Sequence, residues 1–279
     1  MTLPPPITDR TALSRIRLRA GMRVDHAAAM FLHHSAIADL QERLVEVNKS
    51  FTRPAIVTGF PDLWLDAFPD AICIPDADHL DLIRGAHDLV IHAMALHWAN
   101  DPLGQIVQCR LALAPDGLFL AVFPGGQTLS ELRIVLAQAE AAVSEGLSPR
   151  VLPMAEIREV GALLQRAGLA LPVADSFTTT VIYGSFSRLM ADLRAMGETN
   201  ALAGRLRRPT GGALFRQAEA IYSDLYGIGN DQIRATFELI CLTGWAPHES
   251  QQIPLKPGSA KQSLAAALNT TAQHYPTDC

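Results

Sequence analysis

The residues of this chain best suited to chemistry sit at the ends of short apolar runs. Thr58-Gly59-Phe60-Pro61-Asp62 follows the run Pro54–Val57, and a glycine there lets a ligand approach the backbone where a Cβ would intrude. The same turn also serves simply to end a strand, and Pro61 removes one N–H donor. Asp76-Ala77-Asp78 follows Ala71-Ile-Cys-Ile74, and as turn carboxylates these residues need no function. His92 and His97 flank the end of another apolar run, with His33 and His34 on an upstream helix. A metal would want a third ligand and matched partners behind it, so no metal is expected and core or cap histidines are the reading. Trp98 reads as core. Gly125-Gly126 precedes a helix and allows either close backbone approach at a ligand face or a structural turn. Thr128-Leu-Ser-Glu131 fits a capping box, which would also account for Glu131, and Arg133 shares that helix. No Ser-His-Asp order, phosphate loop or nucleophile elbow is present, so no catalytic residue is identified.

The elements that must position these groups follow from periodicity. Ile37, Leu40, Leu44, Val47 and Phe51 recur at steps of three and four, predicting a helix from about Asp25 to Lys49. Strands are predicted at Pro54–Gly59, Ala71–Ile74, His87–Ala93 and Leu118–Phe123, with helices at about Pro102–Leu113, from Thr128 onward, and at Met154–Arg166 before Gly168. Ser176–Tyr183 is rich in Thr, Val and Ile and reads as a strand. Helices at Phe186–Met196 and Gly212–Tyr226 and a strand at about Ala235–Trp245 follow. The alternation argues for an α/β doubly wound parallel sheet, Rossmann-like, ending in an antiparallel edge pair with a helical insertion. Ligands bind such sheets outside the carboxyl ends of the strands. The expected organisation is a loose leader over 1–25 with a basic, solvated patch (Arg15, Arg17, Arg19, Arg23), one domain over 26–250 with a helical lid at about 185–230, and a polar tail over 251–279.

Composition narrows the class. The 279 residues are 49% hydrophobic and 18% charged with net charge −5, a globular balance without the basic excess of a nucleic-acid binder. No apolar stretch is long enough to span a membrane. The start lacks a secretory h-region, and four scattered cysteines suit a reducing compartment, so a cytoplasmic address is expected.

Five stretches carry a family resemblance. Ala95-Leu-His-Trp-Ala-Asn-Asp-Pro102, Leu113-Ala-Pro-Asp-Gly-Leu-Phe119, Gly125-Gly-Gln-Thr-Leu-Ser-Glu-Leu-Arg133, Leu189-Met-Ala-Asp-Leu-Arg-Ala-Met-Gly-Glu-Thr-Asn200 and Gly244-Trp-Ala-Pro-His-Glu-Ser-Gln251 occur in one order. In these the chain resembles the methyltransferase-like assembly factors of respiratory complex I, relatives of the malonyl-carrier-protein methyltransferase of biotin synthesis. The resemblance runs from Arg17 to about Ala260. It implies a class I S-adenosylmethionine-dependent methyltransferase fold with a helical lid, and a protein substrate or respiratory-complex subunit as partner. Arginine hydroxylation is the activity proposed in that family alongside methyl transfer. It also implies that His97 and Trp98 line the cofactor cleft, and that Glu198, Asn200, His248 and Glu249 line the lid or a partner surface.

The sequence departs from the class I pattern where the cofactor is held. Such enzymes use a glycine-rich turn after the first strand and a ribose-binding carboxylate after the second, whereas one glycine, Gly59, remains here. Between Val57 and Asp88 an undamaged domain needs some 40 residues for two strands and their crossovers, and about 30 are present. At least one strand–helix unit is therefore expected to be missing. Asp76, Ala77 and Asp78 then stand either for the segment bordering the adenine or for a merged substitute for the ribose carboxylate. Gly59, Asp76, Ala77, Asp78, His92, His97 and Trp98 are the expected cofactor-side residues, with Gly125, Gly126, Glu131 and Arg133 at the cleft. The functional expectation is a methyltransferase-family protein with a degenerate S-adenosylmethionine site, acting in assembly or modification of a respiratory complex. The alternative is a non-catalytic binding protein, or a scaffold pairing with a paralogue, that keeps the fold without the cofactor.

Overall fold

The computed structural model describes residues 5–144 and 146–251. The chain divides into two compact units, Met1–Pro247 and His248–Cys279, and the sheet with its helices belongs to the first. Three helices lead in, α1 (Arg10–Gly21), α2 (His26–Ala29) and α3 (Phe31–Val47). Next come β1 (Pro54–Thr58), α4 (Pro61–Ala67), β2 (Ile72–Pro75) and β3 (His87–Ala93). A 3-10 turn at Leu96–Trp98 leads to α5 (Pro102–Ala112), β4 (Leu113–Gly125), α6 (Ser130–Val143) and α7 (Ile157–Arg166). The chain closes with β5 (Ala170–Tyr183), α8 (Phe186–Met196), α9 (Gly212–Tyr226), β6 (Gly227–Gly229) and β7 (Gln232–Trp245).

The sheet order is β2-β1-β3-β4-β7-β5, with the short β6 paired to β7. Strands β2, β1, β3 and β4 are parallel, while β7 runs antiparallel to both β4 and β5. This is the class I methyltransferase sheet with one strand–helix unit fewer: only α4 and β2 stand between β1 and β3. Helices α8 and α9 form the expected insertion between the antiparallel strands.

Alternation along the strands explains why helices cover both faces. Leu118, Leu120 and Val122 of β4 enter one core with α3, α6, α8 and α9, whereas Phe119, Ala121 and Phe123 enter the other with α5 and α7. A strand buried on both faces reads as a continuous apolar run, as Leu118–Phe123 does. On β3, Leu89, Ile91 and Ala93 belong to the first core and Val90 to the second. His92, in register with Val90, therefore turns toward α5.

Three local expectations are corrected. Residues 10–21, expected as part of a loose arm, form α1. The Asp9 carboxylate caps it by accepting from Ala12 N–H at 3.0 Å, and Leu13, Arg17 and Ala20 are buried. The segment before α1 is tied to residues 201–203 by Asp9 N–H to Ala201 O and Ala203 N–H to Ile7 O, each 2.8 Å. The single helix from Asp25 to Lys49 is interrupted at Met30, between α2 and α3. The capping box does not form: α6 starts after Leu129 in a left-handed conformation (φ 53°) with no side-chain cap. Thr128 instead exchanges two hydrogen bonds with the backbone of Glu238, and Glu131 accepts from Thr236 N–H and Oγ1–H. Both side chains are thus taken by β7.

Among the described residues no helix is long and apolar enough to cross a membrane. Among the described residues no group of three or more His, Cys, Asp or Glu could hold a metal ion.

Candidate functional site

Two cavities open at the carboxyl ends of the parallel strands. The first, about 660 Å³, lies at the ends of β1 and β2 against α1 and includes Thr58, Gly59, Phe60, Asp76, Ser14 and Arg17. Pro61 occupies the first turn of α4, where its missing N–H costs nothing, so Gly59-Phe60 is a tight strand-to-helix turn. The turn is covered: a methyl added at Gly59 would overlap the Arg17 guanidinium. Arg17 Nη1–H donates to Asp76 Oδ1 at 2.7 Å, with both side chains over nine-tenths buried, and Arg10 Nη2 stands 3.4 Å from Asp76 Oδ2. Arg17 also lies over the Phe60 ring at 5.5 Å. Its Nε and Nη2 are buried without hydrogen-bond partners among the described residues.

The second cavity, about 370 Å³, lies beneath α8 and α9 and beside α6, lined largely by Leu, Met, Val and Phe. The 3-10 turn after β3 delivers His97 and Trp98 to it, and the turn after α8 delivers Glu198. Trp98 Nε1–H donates to Glu198 Oε2 at 2.9 Å, and His97 Nε2 lies 3.1 Å from the same oxygen. Glu198 Oε1 and His97 Nδ1 are buried with no hydrogen-bond partner among the described residues. Burial alone would raise the Glu198 carboxyl, but His97, the Arg17 charge and the Trp98 N–H outweigh it and hold the group below its ordinary value. Glu198 is therefore an ionised carboxylate in a cavity lined by apolar side chains and also by Arg150, Arg194 and Arg205. Asn200 donates to Pro149 O at 2.8 Å and accepts from Leu202 N–H at 3.0 Å. The opposite wall is fixed by Arg150, which donates to Glu140 Oε1 at 2.7 Å and to Thr210 Oγ1 at 2.9 Å.

The remaining sequence candidates are placed as follows. His92 Nε2 lies 2.6 Å from Gln105 Oε1, and Gln105 Nε2–H donates to Ala77 O at 2.9 Å. This buried chain ties β3 to α5 and to the segment after β2. Burial lowers the His92 pKa to about 4, so the ring is neutral. Asp78 is exposed and accepts from Asn100 Nδ2 at 3.3 Å. Gly125 packs where a methyl would overlap Ile240, and Gly126 (φ 50°) where it would overlap the Glu238 carboxylate, which accepts from Gln127 N–H. The two glycines thus have structural reasons. Arg133 Nη2 is 3.5 Å from Thr128 O. His248 and Glu249 are exposed and open the second compact unit, with His248 Nδ1 2.7 Å from Ser250 Oγ.

The structure gathers His97, Trp98, Glu198 and Asn200 around one cavity, on the lid side rather than at the β1–β2 end. Sequence reasoning did not single out Arg10, Arg150 or Glu140, and it read Arg17 as part of a solvated basic patch, whereas the side chain is buried against Asp76. His33 is a core histidine as expected: its Nδ1 accepts from Trp64 Nε1–H at 3.1 Å, and burial lowers its pKa to about 3. A signal for Arg17 existed: Asp9 followed by Leu13, Ile16, Arg17 and Ala20 at helical steps.

A protein named arginine-hydroxylase NDUFAF5, mitochondrial, from Dictyostelium discoideum is 42% identical over 192 residues, covering 68% of this chain and 44% of its own length. The Homo sapiens protein of that name is 35% identical over 199 residues, covering 70% of this chain and 56% of its own. A malonyl-[acyl-carrier protein] O-methyltransferase from Laribacter hongkongensis is 32% identical over 179 residues, covering 64% of this chain and 57% of its own. The chain thus spans about half the length of these relatives. No family model matches the sequence. The expected cytoplasmic address does not stand, because the hydroxylase relatives carry a mitochondrial designation. Lack of an h-region bears only on secretion, since organelle targeting uses other signals.

Proposed function

This chain is a homologue of the arginine-hydroxylases NDUFAF5 and, at greater distance, of the malonyl-[acyl-carrier protein] O-methyltransferases, and on that premise we propose that it seats an arginine side chain of a partner protein in the cavity beneath α8 and α9. The partner is a subunit of respiratory complex I or of a complex like it, bound during assembly. One observation carries the reading: Glu198 offers a buried oxygen, Oε1, with no partner among the described residues, inside a cavity lined by apolar side chains together with Arg150, Arg194 and Arg205, of which Arg150 is held by Glu140 and Arg205 by Asp9. A carboxylate left half-satisfied away from water favours a ligand that brings both N–H donors and positive charge, and a guanidinium brings both in one plane. The apolar wall fits the methylene stem of that side chain. His97 and Trp98 keep the carboxylate in place by bonding its other oxygen.

S-adenosylmethionine is the cofactor that the fold family implies. The residues as arranged do not fit it. Asp76, the carboxylate at the end of β2, already accepts from Arg17 through Oδ1, its Oδ2 lies 3.4 Å from Arg10 and accepts no hydrogen bond among the described residues, and the backbone surface at Gly59 is covered by the Arg17 guanidinium. A degenerate cofactor site is therefore part of the reading, and no chemical step is drawn through the cofactor. The Arg17–Asp76 pair also favours a second reading, a binding protein or scaffold that keeps the fold without catalysis.

The test is binding of a ten-residue peptide carrying one arginine, compared with the same peptide carrying glutamine there. Hydrogen bonds to a charged group contribute about 1.5–3 kcal/mol, so the arginine peptide should bind roughly 10- to 100-fold tighter. E198Q should erase most of that difference. Equal binding of the two peptides by the native chain refutes the proposal.

A further inference from the structure

We infer that the arginine-bearing segment is recognised by acidic residues beside the seated side chain, through an arginine-lined cleft that adjoins the cavity. The inference rests on the seating of an arginine proposed above and adds the sequence context of that arginine.

Charge is strongly segregated in this molecule. Residues 5–30 and 185–216 together carry eleven arginines against four carboxylates. The chain as a whole has 23 basic and 28 acidic residues, so the rest carries 12 basic against 24 acidic. The two basic stretches are adjacent, because α1 packs on α8 and Thr8 pairs with Leu202.

Between them lies a cleft of about 610 Å³ lined by Arg10, Arg15, Arg205 and Arg207, with Asp9 and Asp78 as its carboxylates. Asp9 is already engaged: it caps α1, accepts from Arg205 at 3.0 Å and stands 3.6 Å from Arg207. Asp78 accepts from Asn100. Arg15 is exposed and its side chain has no hydrogen bond or ion pair among the described residues, while the Arg207 side chain is 75% exposed. The cleft thus keeps unspent positive charge facing solvent.

Its position gives that charge a purpose. Arg205 lines both this cleft and the cavity holding Glu198. A segment whose arginine enters the cavity therefore continues past Arg205 into a basic groove. Basic flanking residues would be repelled there, and Asp or Glu would be attracted. The occupant that fits is an acidic stretch of the partner protein next to its arginine.

Four fluorescent ten-residue peptides test this by anisotropy on the full chain. Three share a central arginine flanked by Glu, by Ala or by Lys, and the fourth has the Glu flanks with a central Gln. The Glu-flanked arginine peptide should bind about tenfold tighter than the Ala-flanked one at low salt, with the Lys-flanked peptide weakest, and the gap should shrink in 0.5 M salt. R15E/R207E should reduce that gap to about threefold or less. R15Q/R207Q serves the same purpose if charge reversal lowers the Tm. E198Q should weaken all three arginine peptides alike and leave the flank effect standing. Equal binding of the Glu- and Ala-flanked peptides, a gap that persists in the charge variants, or no binding of any peptide overturns the inference. If the flanks matter and the central arginine does not, the cleft stands and the seating of arginine falls. If only the arginine matters, the reverse holds.

Discussion

Replacing Arg17 by methionine tests whether helix α1 closes the cofactor side. Arg17 Nη1 and Asp76 Oδ1 are 2.7 Å apart, with side chains only 9% and 8% exposed. Removing one partner of such a buried pair strands the other charge, typically at about 3–5 kcal/mol. Two features reduce that cost here. Arg10 stays 3.4 Å from the other Asp76 oxygen, and Arg17 has two buried N–H groups, Nε and Nη2, without partners. Each unpaired polar group costs about 1–3 kcal/mol, which its removal relieves. A net loss of about 2 kcal/mol is the expected result for R17M. R17M/D76N removes both charges and should return to within about 1 kcal/mol of the native chain, because the stranded carboxylate is gone. Urea unfolding reads both values, provided the slope is unchanged. Calorimetry with S-adenosylmethionine gives the functional half: no binding heat at millimolar ligand for the native chain, and measurable binding for R17M. If R17M is within about 0.5 kcal/mol of the native chain, or the double variant is as weak as the single, the pair behaves as a surface pair and the argument fails.

Two further outcomes follow from titrating groups in the core. Burial lowers His33 to about 3 and His92 to about 4, both below the ordinary 6.5, so the unfolded chain takes up their protons first. Their contribution is complete above pH 6.5 and falls on acidification toward the folded values. Urea unfolding at pH 7 and pH 5 should differ by roughly 4 kcal/mol from these two groups, and a flat profile would contradict their burial as neutral rings. Glu140 is held at about 2 chiefly by its hydrogen bond from Arg150, below the ordinary 4.5, so its contribution is complete above pH 4.5 and is lost as pH falls through about 2. E140Q should lower the Tm at pH 7 and remove that acid-limb loss, and an unchanged Tm would show that Arg150 needs no anionic partner.

The sheet was legible in the sequence where burial is two-sided and the run is bounded by turn residues. Leu89–Ala93 is apolar on both faces apart from His92, and Phe186–Met196 and Gly212–Tyr226 carry clean helical periodicity, so these elements agree with the structure. The missing strand–helix unit was legible from chain length alone, because a crossover needs residues that are not there. The site was only half legible. His97, Trp98, Glu198 and Asn200 were singled out, but their common cavity depends on a turn after β3 meeting a turn after α8, about a hundred residues apart. The capping box failed for a related reason: Thr128 and Glu131 have local partners in the sequence and better ones on β7, which only tertiary pairing supplies. Arg17 was read as a solvated charge because an arginine pattern says nothing about a distant carboxylate such as Asp76.

Helix α1, which covers Gly59 and Asp76, is also stitched to the segment between α8 and α9, and this joins the two cavities. Arg17 lies on Gly59 and Asp76, and its stem also faces Gly197, next to Glu198; a methyl added at Gly197 would sit 3.5 Å from Arg17 Cγ. Just before α1, the pairs Asp9–Ala201 and Ile7–Ala203 and the Asp9–Arg205 bridge hold the segment between α8 and α9. Lifting α1 from Gly59 therefore gives up several hydrogen bonds on the lid side at about 1 kcal/mol each, beyond the Arg17–Asp76 pair itself. A ligand at the β1–β2 end and a segment seated beneath α8 and α9 thus act on the same helix. On the proposed seating of arginine, Glu198 is the carboxylate beside that helix, and its satisfaction by a guanidinium would be the event through which partner binding alters access to Gly59.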